Sequence, residues 1–246
     1  MLQTRYLAQI RELIDRLEST QPEAVDAAAA TVAAALATGH AFFVSPLGHG
    51  NEGDLLHRAG GLLGLRPFSY QFSVSSPLAE KLHDRPRPEA YDADLEPARL
   101  AVRASELRPG DCLIVGSVSG RSAGPVCLGL AAREAGVRVI ALTALEYARR
   151  AVPAHRSGKL LHEVADHVLD NCVPYGDACL EVEGLAAPVF PLSGIATTLV
   201  AWMLCAQVLE KLLARGLSPQ VYLSANRPDG PAFNDQATAT FNQVGY

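Results

Sequence analysis

Two stretches of the 246-residue chain combine small, hydroxylated and titratable residues in an order that can do chemistry. The first is Gly116-Ser117-Val118-Ser119-Gly120-Arg121-Ser122. It follows the apolar run 112–115 directly and precedes a helix-like run, 123–135, that closes on Gly136. A strand ending in a serine- and glycine-rich loop at a helix N-terminus can hold an anion. Glycine lets the backbone come close, free N–H groups point outward, and the helix dipole favours negative charge. Ser117, Ser119 and Ser122 add hydroxyl donors, and Arg121 adds a charge-assisted one. Thr143, at the end of the next predicted strand, is expected to help line the pocket. Taken alone, such a loop is more often an ordinary capped turn between a strand and a helix.

The second stretch runs from Ser45 through Gly48-His49-Gly50-Asn51-Glu52-Gly53. It matches G-x-G-x-x-G between a predicted strand and a predicted helix, the fingerprint of a dinucleotide site, and so admits an NAD(P)-dependent oxidoreductase. Two features weigh against that use. No acidic residue closes the second predicted strand near Val74 to hold a ribose hydroxyl, and Glu80 lies beyond Pro77. The chain also carries the other anion loop. Two phosphate-friendly loops on neighbouring strands suit a small phosphorylated ligand held between them, with Ser45, Gly48, Gly50 and Asn51 contributing from this side.

The same stretch supplies candidates for proton transfer. A helix predicted over 51–63 places Glu52 on one inward stripe with Leu55, Leu56, Ala59 and Leu63. A carboxylate in a first turn is favoured by the helix dipole, and burial beside a phosphate would raise its pKa toward a value useful to a general base. Glu52 capping its own helix is the structural alternative. His49 is the general acid, the base itself, or a loop histidine with a satisfied hydrogen bond. Asp54 and His57 share the opposite, solvated face. His162 and His167 read as structural or exposed, and Glu181 and Glu183 as surface residues. No cluster has metal-ligand spacing, so neither metal nor cofactor is expected.

The elements that must position these residues follow from periodicity. Leu7, Ile10, Leu13, Ile14 and Leu17 mark a first helix, and Pro22 opens a second that runs to Ala37 and stops at Gly39. Strands are predicted at 41–44, 68–74, 112–115 and 137–142, with a helix at 97–107 and a long proline-rich loop at 75–96. Residues 147–153 are ambiguous. Residues 160–169 start helical and run into a short strand at 167–169, and 178–182 reads as a further strand. Ser193 opens an apolar helix to Ala214 that Gly216 ends, and a last polar helix spans 232–243. Strands alternating with helices call for an α/β fold with a doubly wound parallel sheet, whose ligands bind beyond the carboxyl ends of the strands.

Composition narrows the classes. A chain 49% hydrophobic and 19% charged has ample core, and a net charge of −5 without a basic run argues against nucleic acid and anionic membrane surfaces. Cys112, Cys127, Cys172, Cys179 and Cys205 are odd in number and mostly sit in apolar runs, as reduced core thiols do. The N-terminus lacks a signal-peptide pattern, so a cytoplasmic location is expected. The apolar stretch 195–209 is shorter than the roughly 20 residues of a membrane span. A helix apolar on every side is buried in a core or against a partner chain, and Trp202 and Met203 are natural residues for a homodimer or larger interface.

Ser117-Val-Ser-Gly-Arg-Ser122 resembles the S-x-S-G-x-[ST] loop of the sugar isomerase (SIS) domain family, which includes phosphoheptose isomerase and arabinose 5-phosphate isomerase. Gly48 to Glu52 stand where that family has its first glycine-rich loop. Arg58-Ala-Gly-Gly-Leu62, Leu160-Leu-His-Glu-Val-Ala-Asp-His-Val-Leu-Asp-Asn171 and Ser224-Ala-Asn…Asn234 are similar to one branch of it, a branch richer in histidine at Pro46-Leu-Gly-His-Gly50 than this chain is. The resemblance spans almost the whole chain. It implies a single domain, 1–246, built as a flavodoxin-like three-layer αβα sandwich. N-terminal helices would occupy 1–38, the core 39–215 and a C-terminal tail 216–246. It also implies a homo-oligomer and a phosphorylated sugar at the Ser117 to Ser122 loop. Three functions follow: an aldose–ketose isomerase working through an enediol, a non-catalytic phosphosugar sensor on the same fold, and the dinucleotide-dependent oxidoreductase.

Overall fold

Strand β3 (Cys112–Gly116) is buried along its whole length and sits at the centre of a five-stranded sheet. Its side chains alternate. Cys112 and Ile114 join the apolar cluster on one face, and Leu113 and Val115 join the cluster on the other. Strand β4 (Arg138–Thr143) repeats the pattern, with Ile140 and Leu142 on the first face and Val139 and Ala141 on the second. Near-continuous apolar runs of this kind are what a parallel sheet covered on both faces requires.

The computed structural model describes residues 1–86 and 91–246. Besides β3 and β4 the sheet contains β1 (Phe42–Val44), β2 (Leu65–Pro67) and β5 (His167–Asp170), all parallel, in the order β2-β1-β3-β4-β5. Helices α1 (Leu2–Thr20), α2 (Pro22–Ala37) and α6 (Ser193–Ala214) contribute Leu13, Leu17, Val32, Val200, Leu204 and Val208 to the first face. Helices α3 (Leu95–Ala104) and α4 (Ala123–Glu134) cover the second with Ala98, Val102, Val126 and Ala132. The fold is therefore the expected α/β sandwich with a parallel sheet.

Helix α5 (Leu145–Ala148) is a single turn in the stretch that periodicity left ambiguous. Strands β6 (Ala178–Leu180) and β7 (Val189–Pro191) form a separate antiparallel pair, so 178–182 does not extend the main sheet. Helix α7 (Gly230–Val244) ends the chain. The tail before it adds a bridge between Leu62 and Val221, with hydrogen bonds from Gly60 to Tyr222 and from Leu63 to Gln220.

That bridge accounts for one correction. Residues 51–63 form no helix; only the 3₁₀ turn Asn51–Asp54 is present. His57 (φ 54°) and Gly60 (φ 83°) are left-handed, and the backbone of 60–63 pairs with the tail instead of bonding along a helix. A second correction concerns the edge strand. It lies at 65–67, not 68–74; Phe68 makes the last link, its N–H on the Val44 carbonyl at 2.8 Å, and residues 69–81 are exposed.

Helix α6 is 22 residues long and, by length and composition alone, long and apolar enough to cross a membrane, which the 195–209 stretch is not. In the fold it lies against α2 and the sheet, burying Ala196, Val200, Leu204, Val208 and Leu212 completely. Trp202 and Met203 are partly covered by their own chain, Trp202 against Gly61.

Candidate functional site

In a sheet ordered β2-β1-β3-β4-β5 the chain leaves β1 and β3 in opposite directions, which opens a crevice at their carboxyl ends. Both stretches singled out by the sequence emerge there. The Ser45 N–H bonds the Ile114 carbonyl at 2.9 Å, extending the β1–β3 ladder to the mouth of the crevice. Leu47 then folds over Gly116. A Cβ on that glycine would stand 2.6 Å from Leu47 Cδ2 and 3.1 Å from Leu47 Cα. Gly116 is thus the contact through which the first loop rests on the second.

The loop Ser117 to Ser122 is braced from beneath. Ser117 N–H donates to Leu142 O (3.0 Å) and Ala144 N–H donates to Val118 O (2.9 Å). Thr143 is fully buried and donates its hydroxyl to the same Val118 carbonyl at 3.2 Å. Gly120 has φ 65°, and the Thr143 hydroxyl sits 3.1 Å from where its Cβ would be. Only glycine takes that conformation over that neighbour without strain. Thr143 therefore supports the loop and does not open onto the crevice. Ser45, 2% exposed, plays a similar part under the first loop.

The outer side of the loop is also tied. Leu161 N–H reaches Gly120 O (2.8 Å), and Ala154 N–H reaches Arg121 O (3.1 Å). Arg121 Nε donates to Val152 O at 3.0 Å, so this arginine, expected to meet an anion, spends one donor on the chain beside it. Ser122 stands at the N-cap of α4 in extended conformation, its hydroxyl makes no capping bond, and no acidic residue occupies the first turn. The exposed Gly124 has open space beyond it. The amino end of this helix retains its partial positive charge. Helix α6 contrasts with it: Asp177 takes the Ser193 N–H (2.8 Å) and the Ser193 hydroxyl (2.6 Å), so that end is already answered by a carboxylate.

The first loop is built differently. Gly48 (φ 45°), His49 (φ 51°) and Gly50 (φ 79°) are consecutive left-handed residues, all exposed. Glu52 turns back and accepts the Leu47 N–H at 2.8 Å. It is half-buried, but it does not lie on a helical stripe, because there is no helix; it closes its own loop. Asn51 reaches toward the start of α6, its Oδ1 3.9 Å from the position of a Cβ on Gly194. The G-x-G-x-x-G match leads into a single 3₁₀ turn, so no helix N-terminus stands behind it to hold a pyrophosphate. This removes the structural basis of the dinucleotide alternative. Asp54 pairs with Arg58 at 3.6 Å, and His57 Nδ1 lies 3.1 Å from the Tyr222 hydroxyl.

Of the remaining candidates, His167 bonds Thr31 Oγ1 through Nε2 at 2.8 Å, and burial lowers its pKa. His162 is half-buried, and its Nδ1 is buried without a hydrogen-bond partner among the described residues. Burial pushes the thiols of Cys112, Cys127 and Cys205 up to about 12, so they stay protonated and unreactive near neutrality.

One cluster was invisible in the sequence. Asp92, Asp94 and His155 bring a ligand atom each within 4.8 Å of one another, although Asp92 and His155 are 63 positions apart. No spacing along the sequence signals this grouping, because only the fold brings its members together. Both ring nitrogens of His155 are already engaged. Nε2 lies 3.1 Å from Asp92 Oδ2, and Nδ1 accepts the Ser157 N–H (3.3 Å) beside the Ser157 hydroxyl (3.0 Å). Asp92 is burdened by partial burial, but N–H bonds from Leu95 and Asp94 and the bond to His155 outweigh this and lower its pKa. The grouping is a structural clamp that opens α3, with no nitrogen left over for an ion.

Comparison with known proteins places this architecture. Residues 5–144 match the model of the SIS domain. A UPF0309 protein of Caldanaerobacter subterraneus subsp. tengcongensis is 35% identical over 227 residues, 90% of this chain and 89% of its own length. A UPF0309 protein of Streptomyces griseus subsp. griseus is 31% identical over 235 residues, 93% and 90% of the two chains. Among solved structures, phosphoheptose isomerase from Neisseria gonorrhoeae superposes with a TM-score of 0.51 at 20% identity, over 85% of this chain and 100% of the other.

Proposed function

Because the chain belongs to the SIS domain family, we propose that it binds a phosphorylated sugar in the β1/β3 crevice and interconverts its aldose and ketose forms. The single observation that carries the binding half is a coincidence of place. The loop with three serine hydroxyls, a left-handed glycine and an unanswered helix N-terminus emerges at the one point where strand order reverses. Ser117, Ser119 and Ser122 would donate to the phosphate along with the first N–H groups of α4, while Gly120 lets the backbone approach. Arg121 would contribute the guanidinium nitrogens not bonded to Val152. The sugar chain would then run toward Gly48, Gly50 and Asn51.

Isomerisation needs a base that carries a proton between adjacent carbons. Glu52 fills that role: one carboxylate oxygen is fixed by the Leu47 N–H, and the other is left for substrate. His49, exposed on the same loop, would assist ring opening. One observation favours a second reading, that of a sensor without turnover. The Glu52 carboxylate already has a structural task, and a binding protein would need no more from it. The protein would act as a homodimer, with the partly exposed face of α6 as its contact, which sedimentation at micromolar concentration would test.

A panel of pentose, hexose and heptose phosphates, with NAD and NADP alongside, should raise the melting temperature only for sugar phosphates. The ligand so found, incubated with the protein in D₂O, should take up deuterium at the carbon next to the carbonyl. A ligand that binds without exchange would establish the sensor, and stabilisation by NAD or NADP alone would overturn the binding site itself.

A further inference from the structure

The segment between Glu146 and Glu163 contains Arg149, Arg150, Arg156 and Lys159 and no carboxylate, in a chain whose net charge is −5. It runs as a strap along the outer side of the Ser117 to Ser122 loop. Three bonds tie it there: Arg121 Nε to Val152 O (3.0 Å), Ala154 N–H to Arg121 O (3.1 Å) and Leu161 N–H to Gly120 O (2.8 Å). Its middle is held from the other side. His155 is 5% exposed and has Nε2 3.1 Å from Asp92. Since Nδ1 accepts the Ser157 N–H, the ring proton sits on Nε2 and is donated to Asp92.

The cations on this strap are set apart by their place beside the loop, since Arg11, Arg16, Lys81 and Arg103 likewise make no ion pair among the described residues but lie on other segments. Arg99, Arg108, Arg133, Arg138, Lys211 and Arg227 each lie within 3.7 Å of a carboxylate oxygen. Arg149, Arg156 and Lys159 are exposed and make no ion pair among the described residues. Arg150 lies over the Tyr175 ring at 5.0 Å and only 3.9 Å from Glu146. Arg156 is two residues from the tie at Ala154, and Lys159 is two from the tie at Leu161. Their backbones are thus within about 7 Å of chain from the loop. Uncompensated positive charge fixed beside an anion loop raises the local concentration of polyanions and favours a second negative group on the same ligand.

We infer that this strap is an accessory anion subsite, and that the ligand is a sugar bearing two phosphates, one on the Ser117 to Ser122 loop and one on the strap. This rests on the phosphosugar reading of the loop and specifies its substrate class.

The test compares pentose 3,5- and hexose 3,6-bisphosphates, whose C1 and C2 stay free for the enediol, with the matching 5- and 6-monophosphates by calorimetry at low salt. The bisphosphate should bind about tenfold more tightly, the equivalent of one additional charge-assisted contact. The preference should fall to about twofold in a combined Arg149→Gln, Arg156→Gln, Lys159→Gln variant with an unchanged melting temperature, while monophosphate affinity stays the same. Ser119→Ala serves as the control that weakens both ligands. Equal affinity for the two ligands, or a preference that survives the triple substitution, overturns the subsite and leaves the loop reading intact. If neither ligand binds, the loop reading fails and the inference falls with it. Triple-variant-sensitive binding of a DNA oligonucleotide, without bisphosphate preference, would reassign the strap to nucleic acid and also overturn it.

Discussion

The two loops that face each other across the crevice are held in opposite ways. The Ser117 to Ser122 loop is supported by β4 from below, by the strap from outside and by its own Ser117 carbonyl, which takes the Gly120 N–H at 3.1 Å. The Gly48 to Glu52 loop has three successive left-handed residues and is tied mainly to itself, by the Asn51 N–H on Gly48 O (3.2 Å), the Gly53 N–H on Gly50 O (3.0 Å) and the Leu47 N–H on Glu52, with the Leu47 contact on Gly116 as its link to the other loop. A site for a charged, invariant group such as phosphate gains from donors fixed in advance, because no reorganisation is needed on binding. A loop that handles the variable part of a ligand, or moves protons, has more use for side chains than for bracing. The difference suggests a division of labour: the braced loop anchors and the open loop does the chemistry.

The largest expected effect breaks or makes that division. Glu52→Gln keeps an oxygen to accept the Leu47 N–H, so the loop stays closed, but it loses the ability to take a proton. Turnover of the identified sugar phosphate should fall about 10²–10⁴-fold with affinity unchanged. Full activity, measured as deuterium uptake, would move the base to His49 or reduce the protein to a sensor.

Next in size is the anchor. Ser119→Ala removes a hydroxyl donor to a charged group, and affinity measured by calorimetry should drop by about 1.5–3 kcal/mol, with stability little changed. Unaltered affinity would place the phosphate elsewhere and dissolve the contrast between the loops.

Gly116→Ala probes the joint between them. The added methyl meets Leu47 at the side chain and close to the backbone. Denaturant unfolding should register about 1–3 kcal/mol of overpacking, with the open loop displaced and the braced one not. A neutral substitution would mean that the loops move independently.

The smallest effect lies at the far end of the sheet and serves as a control. His167, half-buried on β5 and bonded to Thr31, has a pKa below its ordinary 6.5 because partial burial disfavours its charged form. The unfolded chain then takes up this proton first as pH falls. The stability the neutral ring contributes is complete above pH 6.5 and is lost as pH drops through the lowered folded value. In His167→Gln the decline of melting temperature below pH 6.5 should be shallower, while phosphosugar affinity at neutral pH is unchanged. A steeper decline would assign acid sensitivity to other groups.

Much of this organisation was legible in the chain. The runs 112–115 and 137–142 gave the central strands because a strand buried on both faces has to be apolar throughout. Helix α6 began at Ser193 and ended at Ala214 as its apolar run and the following glycine implied. The serine loop was recognisable because Ser117 to Ser122 repeat the S-x-S-G-x-[ST] order of the SIS domain between a buried strand and a helix start; glycines and hydroxyls alone would have read as an ordinary capped turn.

What the chain alone determined about this protein is therefore local: which segments are the central strands, where serines and glycines gather between a strand and a helix, and which family pattern it follows. Only the tertiary structure decided the rest, since those features depend on contacts between distant segments. The leucines at 55–63 have helical spacing, yet the tail at 220–222 claims their backbone, and a hydrogen bond to a remote strand outranks a weak local propensity. Glu52 lost its helical face for the same reason and became the latch of its own loop. Thr143 moved from pocket wall to buried brace because Val118 folds over it. Asp92 meets His155 across 63 positions, a proximity that no spacing rule in one dimension encodes.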